Sequence, residues 1–238
     1  MTRDILIGLS LDHENDQKYS HAPYYALRDN YIDSLKSNNA SPILLPFDND
    51  SIENYLDIID GIIVTGGNFD VSPSHYGDDV MHPETSLKTH RTDFEIAISK
   101  IAIKRNIPYL GICGGMQLLN IILGGDMIQH IPDSIENPLK HEVKPYDQGA
   151  HEITITAKCL LSKIYDNKSN TANVNSSHHQ AAGKQGKDCI ISATSSDGVI
   201  EAIEYQKHPF CLGVQWHPEY QICQLDKNIF QSFCEAAR

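Results

Sequence analysis

The stretch IPYLGICGGMQLLNIILGG, residues 107–125, joins an apolar strand pattern to an apolar helix pattern through the turn GICGG. A short apolar run bounded by glycines is typical of a buried strand, and the longer run after it fits a helix. Cys113 stands between Gly111 and Gly115 in the G-x-nucleophile-x-G pattern of a nucleophile elbow, a sharp turn that raises the nucleophile above the sheet edge. The stretch therefore predicts a parallel α/β sheet that carries a candidate cysteine nucleophile at its edge.

Upstream of this turn, short apolar runs alternate with helical patterns. The predicted strands are ILIGLSL at 5–11, PILLP at 42–46, GIIVTGG at 61–67 and IPYLGI at 107–112. The predicted helices cover 24–38, 51–57 and 92–105, the last with Thr92 and Glu95 spaced as a capping box. Strands that are apolar on both faces and separated by helices indicate a mostly parallel sheet covered on both sides. The polar segment 68–90 is predicted to be a functional loop.

The downstream half has a different pattern. Four apolar runs follow one another with few helices between them: EITIT at 152–156, CIISATS at 189–195, VIEAIEY at 199–205 and FCLGVQW at 210–216. Turns such as Ser196-Asp197-Gly198 separate them, which predicts antiparallel strands that extend the parallel sheet. A closing amphipathic helix is predicted at 225–237, and the length favours one domain over residues 1–238.

The composition excludes several classes of function. The 238 residues, 40% of them apolar, can bury a substantial core, and 19 basic against 31 acidic residues give a formal charge of −12. The basic residues form no stripe, which argues against nucleic acid as a partner. The first residues lack a signal-peptide pattern, and no stretch approaches the roughly eighteen apolar residues of a membrane helix. We therefore expect a soluble cytoplasmic protein without a membrane partner.

A second motif, VQWHPE at 214–219, supplies a candidate base for the cysteine. An apolar strand ends there, and Pro218 favours an extended backbone at His217, so that His217 and Glu219 project to one side. We expect His217 to take the thiol proton and Glu219 to orient the imidazole, which is the logic of the Ser-His-Asp triad applied to cysteine. The start of the helix after Cys113 favours a thiolate, and its N–H groups can hold an oxyanion.

Each motif also has another interpretation. Cys113 can be a buried residue at the end of a strand, beside glycines that a tight turn requires, and H-P-E can be an exposed turn. The H-x-E spacing also fits a pair of metal ligands completed by His151, His178 and His179, although no Cys/His spacing resembles a zinc motif. The six cysteines are scattered without a C-x-x-C pair, which indicates reduced thiols rather than a disulfide framework.

Together the motifs resemble the class I glutamine amidotransferase family, and within it the peptidase C26 branch of γ-glutamyl-γ-aminobutyrate hydrolases. The similar blocks, which cover most of the chain, are GICGGMQ at 111–117, VQWHPE at 214–219, TGGNFDVSPSHYG at 65–77, RTDFEIAI at 91–98, NSSHHQ at 175–180 and SDGVIEAIE at 196–204. The resemblance implies a flavodoxin-like three-layer α/β/α fold. It also implies a cysteine-dependent hydrolase that acts on γ-glutamyl amides.

The resemblance further implies roles for individual residues. It matches Cys113 to the nucleophile, His217 to the base and Glu219 to the orienting acid. The N–H groups of the oxyanion hole match Gly67 and Gly114. The residues that match the lining of the glutamyl pocket are Gln117, Asn175, Ser176 and His178. A small-molecule γ-glutamyl substrate is implied, with no cofactor and no metal, and a homodimer is left open.

Two departures from the branch pattern bear on specificity. Gly114 replaces the arginine that usually follows the nucleophile, and Thr65 replaces the proline that usually precedes Gly66-Gly67. Both changes keep the backbone N–H groups of the oxyanion hole. Loss of the arginine removes a positive charge near the pocket mouth, so the identity of the departing amine stays open. Two other functions stay open: a glutaminase subunit that supplies ammonia to a separate synthase, and a non-catalytic γ-glutamyl-binding protein.

Overall fold

The computed structural model describes residues 5–16, 19–165 and 169–238. The elements of the first half are β1 (Ile5–Ser10), β2 (Asp12–Glu14), β3 (Tyr24–Ala26), α1 (Asp29–Lys36), β4 (Ala40–Leu45), α2 (Ile52–Ile58), β5 (Gly61–Val64), α3 (Thr89–Lys104), β6 (Tyr109–Ile112) and α4 (Gly114–Ile122). Those of the second half are β7 (Met127–Ile128), α5 (Ile131–Ser134), β8 (His151–Ile155), α6 (Leu160–Tyr165), β9 (Thr171–Val174), β10 (Ala181–Ala182), β11 (Cys189–Ser195), β12 (Ile200–Tyr205), β13 (Cys211–Val214) and α7 (Gln224–Ala236).

The parallel part of the sheet is built from β4, β1, β5, β6 and β13, in that spatial order. Numbered along the chain, these five strands follow the order 2-1-3-4-5 of flavodoxin-like folds. Ligands of such sheets bind outside the carboxyl ends of the strands, where the strand order reverses. The predicted parallel α/β architecture is confirmed.

Antiparallel strands extend this sheet from β13. The order continues through β12, β11, β8 and β9, each antiparallel to its neighbour, and β10 pairs with both β12 and β7. Short hairpin connections join β11 to β12 and β12 to β13, whereas parallel neighbours need a crossover connection. The predicted change from a parallel to an antiparallel arrangement along the chain is confirmed.

Helices cover both faces of the sheet. On one face α1, α6 and α7 bury residues such as Leu35, Leu161 and Phe230 in one hydrophobic cluster. On the other face α2, α3 and α4 bury Leu56, Phe94 and the apolar side of α4 in a second cluster. The strands between them are apolar on both faces because both faces are covered. The result is the three-layer α/β/α arrangement.

Two details of the first half differ from the prediction. The helix expected at 24–38 begins only at Asp29, because residues 24–26 pair with residues 12–14 as a two-stranded antiparallel sheet. Helix α3 begins at Thr89, so Thr92 lies inside the helix and does not cap it. The spacing of Thr92 and Glu95 mimics a capping box, but Glu95 pairs with buried Arg91 instead. Among the described residues, no helix is both long and apolar enough to cross a membrane.

Candidate active site

Three neighbouring parallel strands end at the same edge of the sheet and bring the candidate residues together. Val214 of β13 lies opposite Ile112 of β6, and the N–H of Cys113 donates to the carbonyl of Val214 at 2.8 Å. Val64 of β5 lies opposite Gly111. Cys113 thus emerges at the end of β6, between the ends of β5 and β13, at the carboxyl edge of the sheet and one strand away from the point between β1 and β5 where the strand order reverses.

Cys113 occupies the strained turn that the elbow pattern predicted. Its φ of 52° and ψ of −105° lie outside the regions that residues with a Cβ favour, and a conformation of this kind costs about 1–3 kcal/mol. Its glycine neighbours allow a close approach: a Cβ on Gly111 would lie 2.5 Å from the carbonyl oxygen of Gly115. A Cβ on Gly115 would overlap the carbonyl oxygen of Val64. The glycines therefore let α4 begin directly against the strands.

His217 and Glu219 form a buried pair beside the cysteine. The Nδ1 atom of His217 lies 2.8 Å from Oε1 of Glu219, and both side chains are almost fully buried. Burial would lower the pKa of His217, but the negative charges of the Glu219 carboxylate and the Cys113 thiolate outweigh it and raise the pKa to about 10. With Nδ1 held by the carboxylate, the other ring nitrogen is the one free to exchange a proton with sulfur or substrate.

Gly66 packs against the side chains of His217 and Cys113. A Cβ at Gly66 would lie 2.7 Å from Cε1 of His217 and 3.2 Å from Cβ of Cys113, so only glycine fits between them. The N–H of Gly66 donates to the hydroxyl of Tyr31 at 3.1 Å. Burial, followed by the charge of Glu219, raises the pKa of Tyr31 well above its usual value, which keeps this hydroxyl protonated.

The N–H groups predicted to form an oxyanion hole belong to Gly67 and Gly114. Neither donates a hydrogen bond to another group in the described part of the chain. Gly67 lines the same cavity as Cys113, and Gly114 is the first residue of α4. Free N–H groups beside a nucleophile are the donors that acyl-transfer chemistry requires.

The threonine that replaces the usual proline has a defined role. The N–H of Thr65 donates to Oγ of Ser10 at 3.0 Å, and its hydroxyl donates to the carbonyl of Ser10 at 3.0 Å. Proline has no N–H and could make neither bond. The turn that carries Gly66 and Gly67 is therefore tied to β1 through this residue.

Sequence reasoning did not assign a role to Arg91, which holds the same turn from the other side. Its Nη2 donates to the carbonyl of Thr65 at 2.7 Å and to that of Gly66 at 3.3 Å, while Nε pairs with Glu95 at 2.9 Å. Both members of the pair are fully buried. The only available signal was that Arg91 opens the block RTDFEIAI, at the start of a predicted helix.

A cavity of about 620 Å³ opens above Cys113 and His217. Its lining is strongly polar and combines cationic, anionic and histidine side chains: Arg28, Lys144, Asp70, Glu84, Glu142, His130, His178 and His179. A hydrogen bond from His179 to Asp70, 2.8 Å long, raises the pKa of His179. Asn68, Phe69 and Asp70 also line this cavity, so part of the predicted functional loop at 68–90 borders the site.

The four residues predicted to line the glutamyl pocket are placed differently from one another. Gln117 and His178 lie in the cavity wall, whereas Asn175 and Ser176 do not. The amide of Asn175 donates to the carbonyl of His217 at 2.9 Å and accepts from its N–H at 2.8 Å. Ser176 donates to the carbonyl of His141 at 2.7 Å. Asn175 and Ser176 therefore hold backbone groups of neighbouring segments, and their contact with a glutamyl group stays a prediction.

Gln117 and His178 have little freedom to bind a ligand through their polar atoms. The Nε2 of Gln117 donates to the carbonyl of Gln180 at 3.2 Å and to Oε1 of Gln215 at 3.3 Å. Gln215, which was not singled out in the sequence, places its own Nε2 3.6 Å from the sulfur of Cys113. Burial lowers the pKa of His178 to about 4, so its imidazole is neutral at pH 7.

The alternative metal site built on His217 and Glu219 is not assembled. His179 pairs with Asp70, while His151 and His178 approach Glu201. Two other groups in the described residues bring possible ligand atoms within 4.8 Å of one another: His141, His178 and Glu201, and His82, His130 and Asp133. Cys113, His217 and Glu219 belong to neither of these two groups.

Solved structures with a similar fold define the class. A GMP synthase protein of Thermoplasma acidophilum matches with a TM-score of 0.66 and 18% identity, covering 100% of this chain and 96% of that chain. The glutaminase domain of Trypanosoma brucei CTPS with bound acivicin matches with a TM-score of 0.65 and 19% identity, covering 98% and 93%. At such low identity the likeness concerns the fold alone, which is that of class I glutamine amidotransferases.

Sequence comparison defines the family within that class. The Peptidase C26 family matches residues 5–219, and the chain belongs to this family. The glutamine amidotransferase-like protein RP404 of Rickettsia prowazekii is 38% identical over 98% of each chain. The γ-glutamyl-γ-aminobutyrate hydrolase PuuD of Escherichia coli K12 is 32% identical over 89% of this chain and 86% of that protein. The resemblance drawn from the motifs is confirmed.

Proposed function

We propose that this protein hydrolyses γ-glutamyl amides through a γ-glutamyl thioester on Cys113. The observation that carries the proposal is that the buried His217–Glu219 pair, joined at 2.8 Å, and the strained Cys113 both pack against Gly66 and that Cys113 and His217 line one polar cavity. Membership of a family that includes γ-glutamyl-γ-aminobutyrate hydrolases supports the same reaction type.

The first half of the reaction forms the thioester. The Cys113 thiolate attacks the γ-carbonyl carbon, and the developing oxyanion accepts hydrogen bonds from the N–H groups of Gly67 and Gly114. When the tetrahedral intermediate collapses, the C–N bond breaks and His217 donates its proton to the departing amine. Glu219 holds the imidazole and stabilises its positive charge.

The second half releases glutamate. His217, now neutral, takes a proton from water, and the resulting hydroxide attacks the thioester carbonyl through the same oxyanion site. The C–S bond breaks, and Cys113 returns to its thiolate form. The cationic Arg28 and Lys144, together with the acidic Glu84 and Glu142, suit a substrate that carries both an α-carboxylate and an α-amino group.

A panel of γ-glutamyl amides tests this proposal. We expect the parent protein to release glutamate and free amine from at least one γ-glutamyl amine conjugate. We also expect mass spectrometry of the acid-quenched reaction to show Cys113 carrying a γ-glutamyl group. Cys113→Ala should remove both signals, because Cys113 is the only one of the six cysteines that lines the cavity.

Cys189→Ala is the matched control, since Cys189 is a buried cysteine on β11 that does not line the cavity. It should retain turnover and the adduct. Hydrolysis of free glutamine alone would instead favour a glutaminase that supplies ammonia to a synthase. Equal turnover by the parent and Cys113→Ala on every amide would leave a non-catalytic binding protein as the remaining explanation.

A further inference from the structure

Four buried side chains converge on one point next to the Cys113 cavity, and one of them, His178, also lies in the cavity wall. They come from separate segments: His141 from the connection before β8, His151 from β8, His178 from the segment before β10 and Glu201 from β12. Nδ1 of His141, Nε2 of His151 and Nε2 of His178 lie 3.3, 3.4 and 3.8 Å from Oε1 of Glu201. Each side chain is at least nine-tenths buried.

Hydrogen bonds on the side of each ring that points away from Glu201 determine which ring nitrogen carries the hydrogen. Nδ1 of His178 lies 2.9 Å from the carbonyl of Gln180, which can only accept, so Nδ1 carries the hydrogen. Nε2 of His141 lies 2.9 Å from the carboxylate of Asp197 and donates to it. We call the ring nitrogen of each histidine that faces Glu201 its inner nitrogen. In a neutral imidazole whose other nitrogen carries the hydrogen, the inner nitrogen directs a lone pair at the Glu201 carboxylate, which also offers only lone pairs.

This arrangement lacks a positive charge at its centre. Among the described residues, no donor bonds the inner nitrogens of the three histidines or either oxygen of Glu201. A buried carboxylate without partners costs several kcal/mol, and lone pairs that face one another add repulsion. With all three imidazoles neutral, every atom at the centre is an acceptor, so a cation is missing. It is either a metal ion or a proton on His141: burial would lower the pKa of His141, but Glu201 and Asp197 raise it.

The distances agree with a tetrahedral metal ion. Metal–ligand bonds of about 2.0–2.1 Å place the ligand atoms of a tetrahedron about 3.3–3.4 Å apart, close to the spacings of His141 and His151 from Glu201. A divalent ion would also balance the charges of Glu201 and the adjoining Asp197. The ligand atoms of His141, His178 and Glu201 all lie within 4.8 Å of one another. We propose that these three residues bind one Zn²⁺ ion, with His151, which lies 3.4 Å from Glu201, as the fourth ligand.

The surroundings fit a structural rather than a catalytic ion. With His151 as the fourth ligand, protein groups would close the coordination shell, which is typical of structural zinc sites. Asp197 and the Gln180 carbonyl hold the outer nitrogens of two histidines, as outer partners of metal-bound imidazoles commonly do. Through His178 the ion would stabilise the segment 175–180. Asn175 of this segment binds the backbone of His217, and residues 177–180 form one wall of the cavity.

Metal analysis of the purified protein tests the proposal. After expression with Zn²⁺ and dialysis, we expect about one Zn²⁺ per chain in the parent and less than a tenth of that in Glu201→Gln. His208→Gln is the control, since His208 is also buried with a free Nε2 but has no carboxylate beside it. His130→Asn reports on the more exposed group His82, His130 and Asp133. Both of these variants should retain the metal.

A second variant covers the case in which Glu201→Gln fails to fold. Asp197→Asn leaves every ligand in place but weakens the support of His141, so its affinity for Zn²⁺ should fall about 10- to 100-fold. Co²⁺ exchanged into the parent should give the intense visible absorption of a tetrahedral ion. Failure of the parent to take up Zn²⁺, equal zinc in Glu201→Gln, or loss of zinc only in His130→Asn would each overturn the proposal. If the parent takes up no Zn²⁺, the positive charge between these side chains is a proton that His141 shares with the carboxylates of Asp197 and Glu201.

Discussion

Hydrogen bonds from neighbouring residues hold Cys113 and His217 in place. The strained backbone of Cys113 is maintained because its N–H and carbonyl are both used, the first by Val214 and the second by Met116 and Gln117. His217 is fixed through its ring by Glu219 and through its backbone by Asn175. Preorganisation of this kind places reacting atoms before the substrate arrives.

The charge of Glu219 sets the titration of His217. Glu219→Gln keeps an acceptor for Nδ1 but removes the negative charge, so the pKa of His217 should fall from about 10. The imidazolium is lost as pH rises through its pKa, and the alkaline limb of the kcat/KM profile should therefore move to lower pH. We also expect kcat to fall about 10²- to 10⁴-fold.

A pH–rate series on a γ-glutamyl amide measures both effects. Glu152→Gln, at an exposed position of β8, is the control and should keep the parent profile. An alkaline limb that stays in place in Glu219→Gln would mean that another group limits the rate at high pH.

Asn175 is a positioning residue for His217. Asn175→Ala removes two hydrogen bonds to the backbone of His217, and displacement of a catalytic group by about 1 Å can cost up to about 10²-fold in rate. Because Asn175 does not line the cavity, we expect kcat to fall while KM changes little. Asn173→Ala, on the exposed side of β9, should match the parent. A rise in KM equal to the fall in kcat would indicate substrate contact instead.

Between elements, a buried polar network joins α3 to the ends of β1 and β5. Glu95 accepts from Arg91 at 2.9 Å and from the hydroxyl of Ser10 at 2.6 Å. Burial raises the pKa of Glu95, although the charge of Arg91 opposes this rise. Such a network stabilises only as a complete set, because any member left alone is a buried group without a partner.

Arg91→Met should therefore destabilise the protein by about 3–5 kcal/mol, because it leaves the Glu95 carboxylate buried and unpaired. The double variant Arg91→Met/Glu95→Leu should recover much of that stability in urea unfolding. It should not recover kcat, since the Thr65 carbonyl still lacks its donor.

Arg105→Met is the control for that comparison, because the ion pairs of Arg105 with Glu53 and Asp57 lie at the surface. We expect it to cost about 1 kcal/mol or less. Equal stability of the single and double variants would show that the unpaired carboxylate is not the source of the loss.

Across the whole molecule, the contact between β13 and α4 brings together two parts of the site that are about a hundred residues apart. A Cβ on Gly213 would lie 2.9 Å from Cγ and 3.1 Å from Cα of Met116, so it would push the elbow helix off the sheet. Gly213→Ala should cost about 1–3 kcal/mol in urea unfolding and should lower kcat as well.

Gly61→Ala makes the same change in β5, where the nearest atoms are the ends of the Phe233 and Ile7 side chains at 3.0 and 3.1 Å. These side chains can move, so we expect a smaller loss of stability and an unchanged kcat. A Gly213→Ala variant that loses stability but keeps full kcat would show that the elbow does not depend on this contact.

Local patterns in the sequence were sufficient to predict the sheet, the elbow and the H-P-E corner. Each depends on neighbours within a few residues: apolar runs for the strands, glycines for the turn and proline for the corner. The start of the helix expected at 24–38 was wrong, because residues 24–26 pair with β2, a tertiary contact that the helical pattern does not reveal.

Only the tertiary structure placed Asn175 beside His217 and brought His141, His151 and His178 together around Glu201. His141, His151, His178 and Glu201 lie in four segments without a zinc-like spacing, so no local motif joins them. Their convergence follows from the pairing of β8, β11 and β12 and from the path of the connections across them. Sequence determines which groups a turn or a strand end presents, whereas long-range packing determines which of these groups face each other without water.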